Sequence, residues 1–167
     1  MPTIKTKKFI LRPFRMSDAE GIAKAINNKI IARNTLTIPY PYKLKDAKWW
    51  LGLKKKNTVN FCIEIDGEVA GSIGFDKIVK NHKAEIGYWL AERYWGKGLM
   101  TEIVREVTKF GFDELKLRRI YAHVFPFNKA SMGVLKNNGF KFEGILKKDA
   151  KKKNGKMLDA HLFAKVR

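Results

Sequence analysis

The strongest constraint on the fold is a change of hydrophobic period at residue 59. From there "VNFCIEI" alternates apolar and polar residues, Asp66-Gly67 follows, and "EVAGSIGF" alternates again. A period of two puts successive side chains on opposite faces of a strand, and Asp-Gly supplies the positive φ that a type I′ hairpin turn requires. Gly71 and Gly74 weaken the second strand or mark bulges in it. After the polar loop "DKIVKNHK", the run "AEIGYWLAE" alternates a third time. Three consecutive antiparallel strands are therefore expected.

Around them the pattern changes. "KFILRPF" (8–14) reads as a strand ended by Pro13, which cannot donate a ladder hydrogen bond. "SDAE" (17–20) reads as a capping box in which Ser17 accepts from the Glu20 backbone and Glu20 reaches back, so a helix carrying Ile22, Ala23 and Ile26 on one face should start there. "TLTIPYPY" (35–42) is an extended loop, because its prolines forbid a regular helix. A short helix is expected from Asp46 through Trp49, Trp50 and Leu53. Leu99, Met100, Ile103, Val104, Val107 and Phe110 lie at helical spacing. "RRIYAHVF" reads as a buried strand, and "NKASMGVLKNNGF" as a helix stopped at Asn138-Gly139. "KFEGIL" and "MLDAHLFAKV" are the last strands, joined by the lysine-rich turn "KKDAKKKNGK". The pattern gives an α+β chain of about seven strands and four helices. No repeat or linker divides it, so residues 1–167 are expected to form one domain.

Charge bounds the partners. The chain has 35 Lys and Arg against 16 Asp and Glu, a net charge of +19. Such a surplus suits nucleic acid, the ribosome or a small polyanionic ligand, and equally a solvated lysine-rich surface. It is dispersed, with short clusters at Lys54-Lys55-Lys56, Lys147-Lys148 and Lys151-Lys152-Lys153. No 18-residue apolar run and no secretory h-region occur, so a soluble cytoplasmic protein with no membrane partner is expected, as monomer or homodimer. Cys62 sits in an alternating apolar run and reads as a small buried hydrophobe.

The stretch "ERYWGKGLMTEIV" (92–104) sets a glycine-bearing turn between a strand and a helix. Glycines let successive N–H groups converge on an anion, and the helix N-terminus adds unpaired donors and the positive end of its dipole. An ordinary surface turn is the alternative. The stretch is neither a Walker A loop nor a dinucleotide fingerprint, since Gly98 is followed by "LMTEIV".

Arg93, Gly96 and Gly98 match the pattern [Q/R]-x-x-G-x-[G/A], and Asn128, Ser131, Gly139 and Phe140 match a second linked signature. With these motifs in this order, the run from about residue 84 to 147 resembles the GNAT acyltransferase superfamily, in its branch of ribosomal-protein N-terminal alanine and serine acetyltransferases. The resemblance implies a mixed α/β, mostly antiparallel sheet flanked by helices, with acetyl-CoA bound in a splayed strand pair. It also implies that Tyr88, Trp89 and Leu90 pair by their backbone with the pantetheine arm. Arg93, Tyr94, Trp95, Gly96, Lys97, Gly98, Leu99 and Met100 would cradle the pyrophosphate, and Asn128 would reach the pantetheine.

Acetyl transfer to an amine needs an unprotonated nucleophile, oxyanion stabilisation and a proton for the departing thiolate. The resemblance points to Glu85 as the base, acting through water; a glutamate on an exposed strand face is the alternative. Asp149, in the turn region after the strand "KFEGIL", is the rival acid, or else a loop residue neutralising lysines. Glu143 is a weaker rival. The tyrosine that many family members carry seven residues after the asparagine is here Leu135, so Ser131 is the candidate to serve the thiolate, unless its hydroxyl only satisfies helix backbone. His82, His123 and His161 fall on separate elements, so no metal site is expected. The function implied is acetyl transfer to a primary amine, most specifically a protein N-terminal α-amine of ribosomal-protein type. The alternatives are a basic RNA- or ribosome-binding module without transfer activity, and a polyamine or antibiotic acetyltransferase.

Overall fold

A computed structural model describes residues 1–54, 56–152 and 154–167; Lys55 and Lys153, members of two of the lysine clusters, lie outside them. The elements run β1 (Ile4–Lys5), β2 (Ile10–Pro13), α1 (Ala19–Ile26), α2 (Lys29–Asn34), α3 (Leu44–Gly52), β3 (Val59–Ile65), β4 (Glu68–Val79), β5 (Lys83–Leu90), α4 (Leu99–Asp113), β6 (Arg119–Val124), α5 (Lys129–Asn137), β7 (Lys141–Lys151) and β8 (Met157–Val166). The strands form one eight-stranded sheet in the order β1-β2-β3-β4-β5-β6-β8-β7. Every neighbouring pair is antiparallel except β5 and β6.

The expected meander is β3, β4 and β5. At its first turn Asp66 and Gly67 have φ of 52° and 76°, the sign a type I′ turn demands. Alternation then divides the sheet into two faces. On one, Ile103, Val104 and Val107 of α4 are fully buried against Phe61, Ile73 and Phe75. On the other, Ile22 and Ile26 of α1 and Ala47 of α3 cover Cys62 and Val69. Burial pushes the Cys62 thiol up to about 12, in keeping with a packing role.

The structure corrects the sequence reading in three places. It adds β1 and α2, each too short to show a period. It also moves the first helix start: a 3₁₀ turn covers Met16–Asp18, and Asp18 rather than Ser17 is the capping side chain, with Oδ2 accepting from Arg15 N–H at 2.7 Å. Asp18 is drawn there by buried Arg12, which donates to both its oxygens at 2.9 and 2.8 Å. Finally, β7 runs through to Lys151, interrupted by register shifts, so Asp149 is an exposed strand residue and not part of a turn. Glu143 is exposed and ion-paired with Arg119.

Candidate active site

The parallel pair β5/β6 starts at Lys83↔Arg119 and stops at Glu85↔Tyr121, although β5 continues to Leu90 and β6 to Val124. Beyond residue 85 the two strands part. A cavity of about 470 Å³ opens there. Of the residues expected to hold a cofactor, Tyr88, Trp89, Leu90, Tyr94, Trp95, Gly96, Gly98, Leu99, Met100, Asn128 and Ser131 line it. Arg93 and Lys97 do not. The Arg93 guanidinium donates to Glu68 at 2.6 Å and lies 4.9 Å from the Tyr94 ring centroid, while Lys97 lies over the same ring.

The edge of β5 is prepared for a ligand by its pairing. Ala91 N–H donates to Ala70 at 2.8 Å, and alternation along an antiparallel ladder turns the Tyr88 and Leu90 main-chain groups away from β4, toward the splay. The Leu90 carbonyl is already engaged, since Trp95 Nε1–H donates to it at 2.7 Å and so fixes the turn against the strand. Gly96 and Gly98 have φ of 72° and 71°. The Thr101 and Glu102 N–H groups turn back to the Gly98 carbonyl at 3.1 and 3.3 Å. Those just before them have no carbonyl one turn earlier to meet, so they and the helix dipole face the cavity mouth.

Across the cavity, Asn128 caps α5, its Oδ1 accepting from Ser131 N–H at 3.2 Å. The Ser131 hydroxyl lies 2.9 Å from the Tyr88 hydroxyl. Burial holds the Tyr88 phenol well above its usual range, so it remains protonated. Leu135 is fully buried in the core. A phenol at the splay thus comes from β5, a contact of Tyr88 with Ser131 that the sequence reading missed because strand and helix meet only in the fold.

On the opposite face of β5 a second cluster forms. Glu85 Oε1 lies 2.7 Å from His123 Nδ1, and its Oε2 lies 2.7 Å from Lys77 Nζ. Lys77 gets there through an irregularity in β4: the register slips between Asp76 and Val79, and Lys77 takes φ of 53°. Burial raises the Glu85 carboxyl, but the bonds to His123 and Lys77 outweigh it and hold it below the usual carboxylate range. Glu85 is therefore ionised with both oxygens engaged. Asp149 touches this cluster only through its charge, which helps hold the Lys77 ammonium above its usual value after the Glu85 bond has acted.

The sequence reading also missed α2. Its Ile30, Ile31 and Asn34, with Thr35, close the cavity, and Asn28 is its cap, accepting from Ile30 and Ile31 N–H at 2.8 and 3.1 Å. Asn34 Oδ1 is buried without a hydrogen-bond partner among the described residues.

Against known proteins, residues 8–141 match the family profile of the acetyltransferase (GNAT) domain. The chain belongs to the GNAT acetyltransferase family. A probable N-acetyltransferase of Bacillus subtilis, YjcK, is 34% identical over 161 residues, spanning 89% of this chain and 88% of that one. The L-amino acid N-acetyltransferase AaaT of Escherichia coli is 28% identical over 164 residues, 96% and 99% of the two chains. RimL, a ribosomal L7/L12 alpha-N-protein acetyltransferase solved with coenzyme A, superposes with a TM-score of 0.88 over 99% of this chain and 98% of its own, at 24% identity, a likeness of fold. This GNAT chain is thus an acetyl-CoA-dependent N-acetyltransferase, and the transfer-inactive RNA-binding alternative falls away. The residues present suit acetyl-CoA: an apolar slot for the pantetheine, a strand edge to pair with its amides and a glycine-bearing helix start for its diphosphate. No helix among the described residues is long and apolar enough to cross a membrane.

Proposed function

We propose that this enzyme acetylates the α-amine at the N terminus of a polypeptide, by direct attack with both substrates held in the splay between β5 and β6. The observation that carries the acceptor class is the positive charge gathered on α2, whose Ile30, Ile31 and Asn34 line the cavity. The Arg33 guanidinium lies 4.8 Å from the Phe127 ring centroid, and the Lys152 ammonium lies 5.4 Å from that of Phe125 and donates to the Ala32 and Arg33 carbonyls at 3.3 and 2.8 Å. Cations at a rim repel a polyamine and suit an amine with carboxylates close by. Leu36, just past α2, and Tyr40, whose ring lies 5.6 Å from Lys29 Nζ of that helix, are exposed and would offer apolar surface to residues following the reacting amine. An L-amino acid is the second reading, favoured by the relationship to AaaT over nearly the whole chain.

In this reading the N–H groups from Gly96 to Met100 hold the diphosphate, and Tyr88 and Leu90 align the pantetheine from the strand edge. When bound, acetyl-CoA supplies an activated thioester. Holding it against the amine provides much of the acceleration through proximity alone. Ser131 donates its hydroxyl proton toward the departing sulfur while accepting from Tyr88, and the Glu85–His123 pair draws the proton from the amine. Asp149, exposed on β7 and reaching the Glu85 cluster only through its charge on Lys77, is assigned no step; Glu85 and His123 also lie outside the residues that line the cavity, on the other face of β5.

A panel assay tests the acceptor: peptides with alanine or serine first and acidic residues following, free L-amino acids, and spermidine, each with acetyl-CoA and product mass detection. Peptides turned over best support the reading. Free amino acids turned over best favour the second, and preference for spermidine contradicts both.

A further inference from the structure

We propose that His123 is the catalytic base and that Glu85 is a positioning residue that orients it. The proposal rests on transfer taking place in the splay, as above, but not on which amine is the acceptor.

Position comes first. Glu85 is the last residue of β5 paired with β6, and His123 lies two residues past its partner Tyr121, on the freed part of β6. Had the ladder continued, His123 would have faced Gly87. A side chain at Gly87 would meet nothing within 4 Å, so the face of β5 one step past Glu85 is open where the strands part. The His123 side chain is 26% exposed and that of Glu85 20%, so the imidazole is the more accessible of the two.

Hydrogen bonding then assigns the roles. An ionised carboxylate only accepts, so the proton of the 2.7 Å contact lies on His123 Nδ1. In the neutral imidazole that tautomer leaves Nε2 with a free lone pair, the arrangement in which a carboxylate-oriented imidazole serves as a base. Both Glu85 oxygens are already engaged, Oε2 by Lys77 at 2.7 Å, and each such bond makes the carboxylate a weaker base. The charged and titratable groups around the imidazole are Lys77 from β4, Glu85 from β5 and Tyr121 on β6, whose ring centroid is 5.6 Å away. Asp149 of β7 acts on Lys77, and the β8 residue in register with His123 is Leu162, which is apolar.

The step balances as follows. The acceptor nitrogen bonds to the acetyl carbon and the carbon–sulfur bond breaks. One proton passes from nitrogen to His123 Nε2, and the sulfur takes one from Ser131 as Tyr88 passes its own to Ser131. Solvent then takes the proton from His123 and returns one to Tyr88.

The test compares His123→Ala, His123→Gln and Glu85→Gln with wild type, using the panel acceptor turned over fastest, so that a wrong acceptor class and a wrong base give different results. General-base loss lowers kcat by about 10²- to 10⁴-fold. His123→Ala and His123→Gln should both show that loss, with acetyl-CoA affinity within about twofold of wild type, and added imidazole should partly restore His123→Ala. Glu85→Gln should cost less and shift the pH profile of kcat, because the imidazole keeps its place but loses its anionic partner. Three results overturn the proposal: either His123 variant turning over within about threefold of wild type, Glu85→Gln costing more than His123→Ala, or no rescue by imidazole.

Discussion

Gly98 and Gly67 make a matched pair that separates strain from recognition. Both have left-handed φ, 71° and 76°, and a side chain at either would meet no atom within 4 Å. Valine at either position therefore costs backbone strain without a clash, about 2 kcal/mol. In a domain of this length that lowers the Tm by about 4–8 °C. The two positions differ in what surrounds them: Gly67 turns the β3–β4 hairpin, while Gly98 is the first residue before α4 and lines the cavity. On the proposed binding mode, a β-branched side chain at Gly98 would stand where the diphosphate approaches. Losing even one charge-assisted hydrogen bond, worth about 1.5–3 kcal/mol, raises Kd roughly ten- to hundredfold. Differential scanning fluorimetry should find both variants destabilised alike. Isothermal titration with acetyl-CoA should find Gly67→Val binding like wild type and Gly98→Val weakened at least tenfold. Equal affinity of the two variants would refute the diphosphate seat.

Three further outcomes follow from single contacts. Asp18→Asn breaks the buried pair with Arg12, whose side chains are 10% and 7% exposed, and should cost about 3–5 kcal/mol at pH 7 by thermal denaturation. Burial raises the Asp18 carboxyl, but Arg12 and the Arg15 N–H outweigh it and depress it. The stability it contributes is therefore complete above the unfolded value of about 3.9 and is lost as pH falls below it, so the difference between wild type and Asp18→Asn should narrow in acid. Asn34→Ala removes a buried, unpartnered oxygen from the cavity wall; it should leave the Tm unchanged or raised while weakening ligand binding, and a large loss of stability would contradict that. Tyr88→Phe deletes the hydroxyl behind Ser131 and should lower kcat about tenfold in steady-state assays with acceptor KM unchanged, whereas an unchanged kcat would remove Tyr88 from the proton path.

What was legible in the sequence was local and periodic. The meander, the hairpin at Asp66-Gly67 and helices α4 and α5 each carry their own period or turn chemistry, and the glycine turn before α4 announces itself by composition. What was illegible depends on distant partners. Helix α2 is six residues, too few for a period, and its one local sign, the Asn28 cap, went unread. Ser17 looked like the cap because Arg12, which claims the neighbouring Asp18, lies on another element. The pairs Glu85–His123 and Tyr88–Ser131 join residues 38 and 43 positions apart. Both need β5 to meet β6 or α5 in space, which no spacing along the chain reveals. Most of the residues that line the cavity were thus named by motifs, while the side-chain pairs beside it had to wait for the fold.

The central claim is that acetyl-CoA lies in the splay of β5 and β6 with its diphosphate on the start of α4. A crystal structure of the complex with coenzyme A tests it most directly. The account predicts the diphosphate within hydrogen-bond distance of N–H groups between Gly96 and Met100, and the pantetheine running along Tyr88–Leu90 toward Ser131. Coenzyme A bound elsewhere, or with its diphosphate away from the α4 N-terminus, would contradict it.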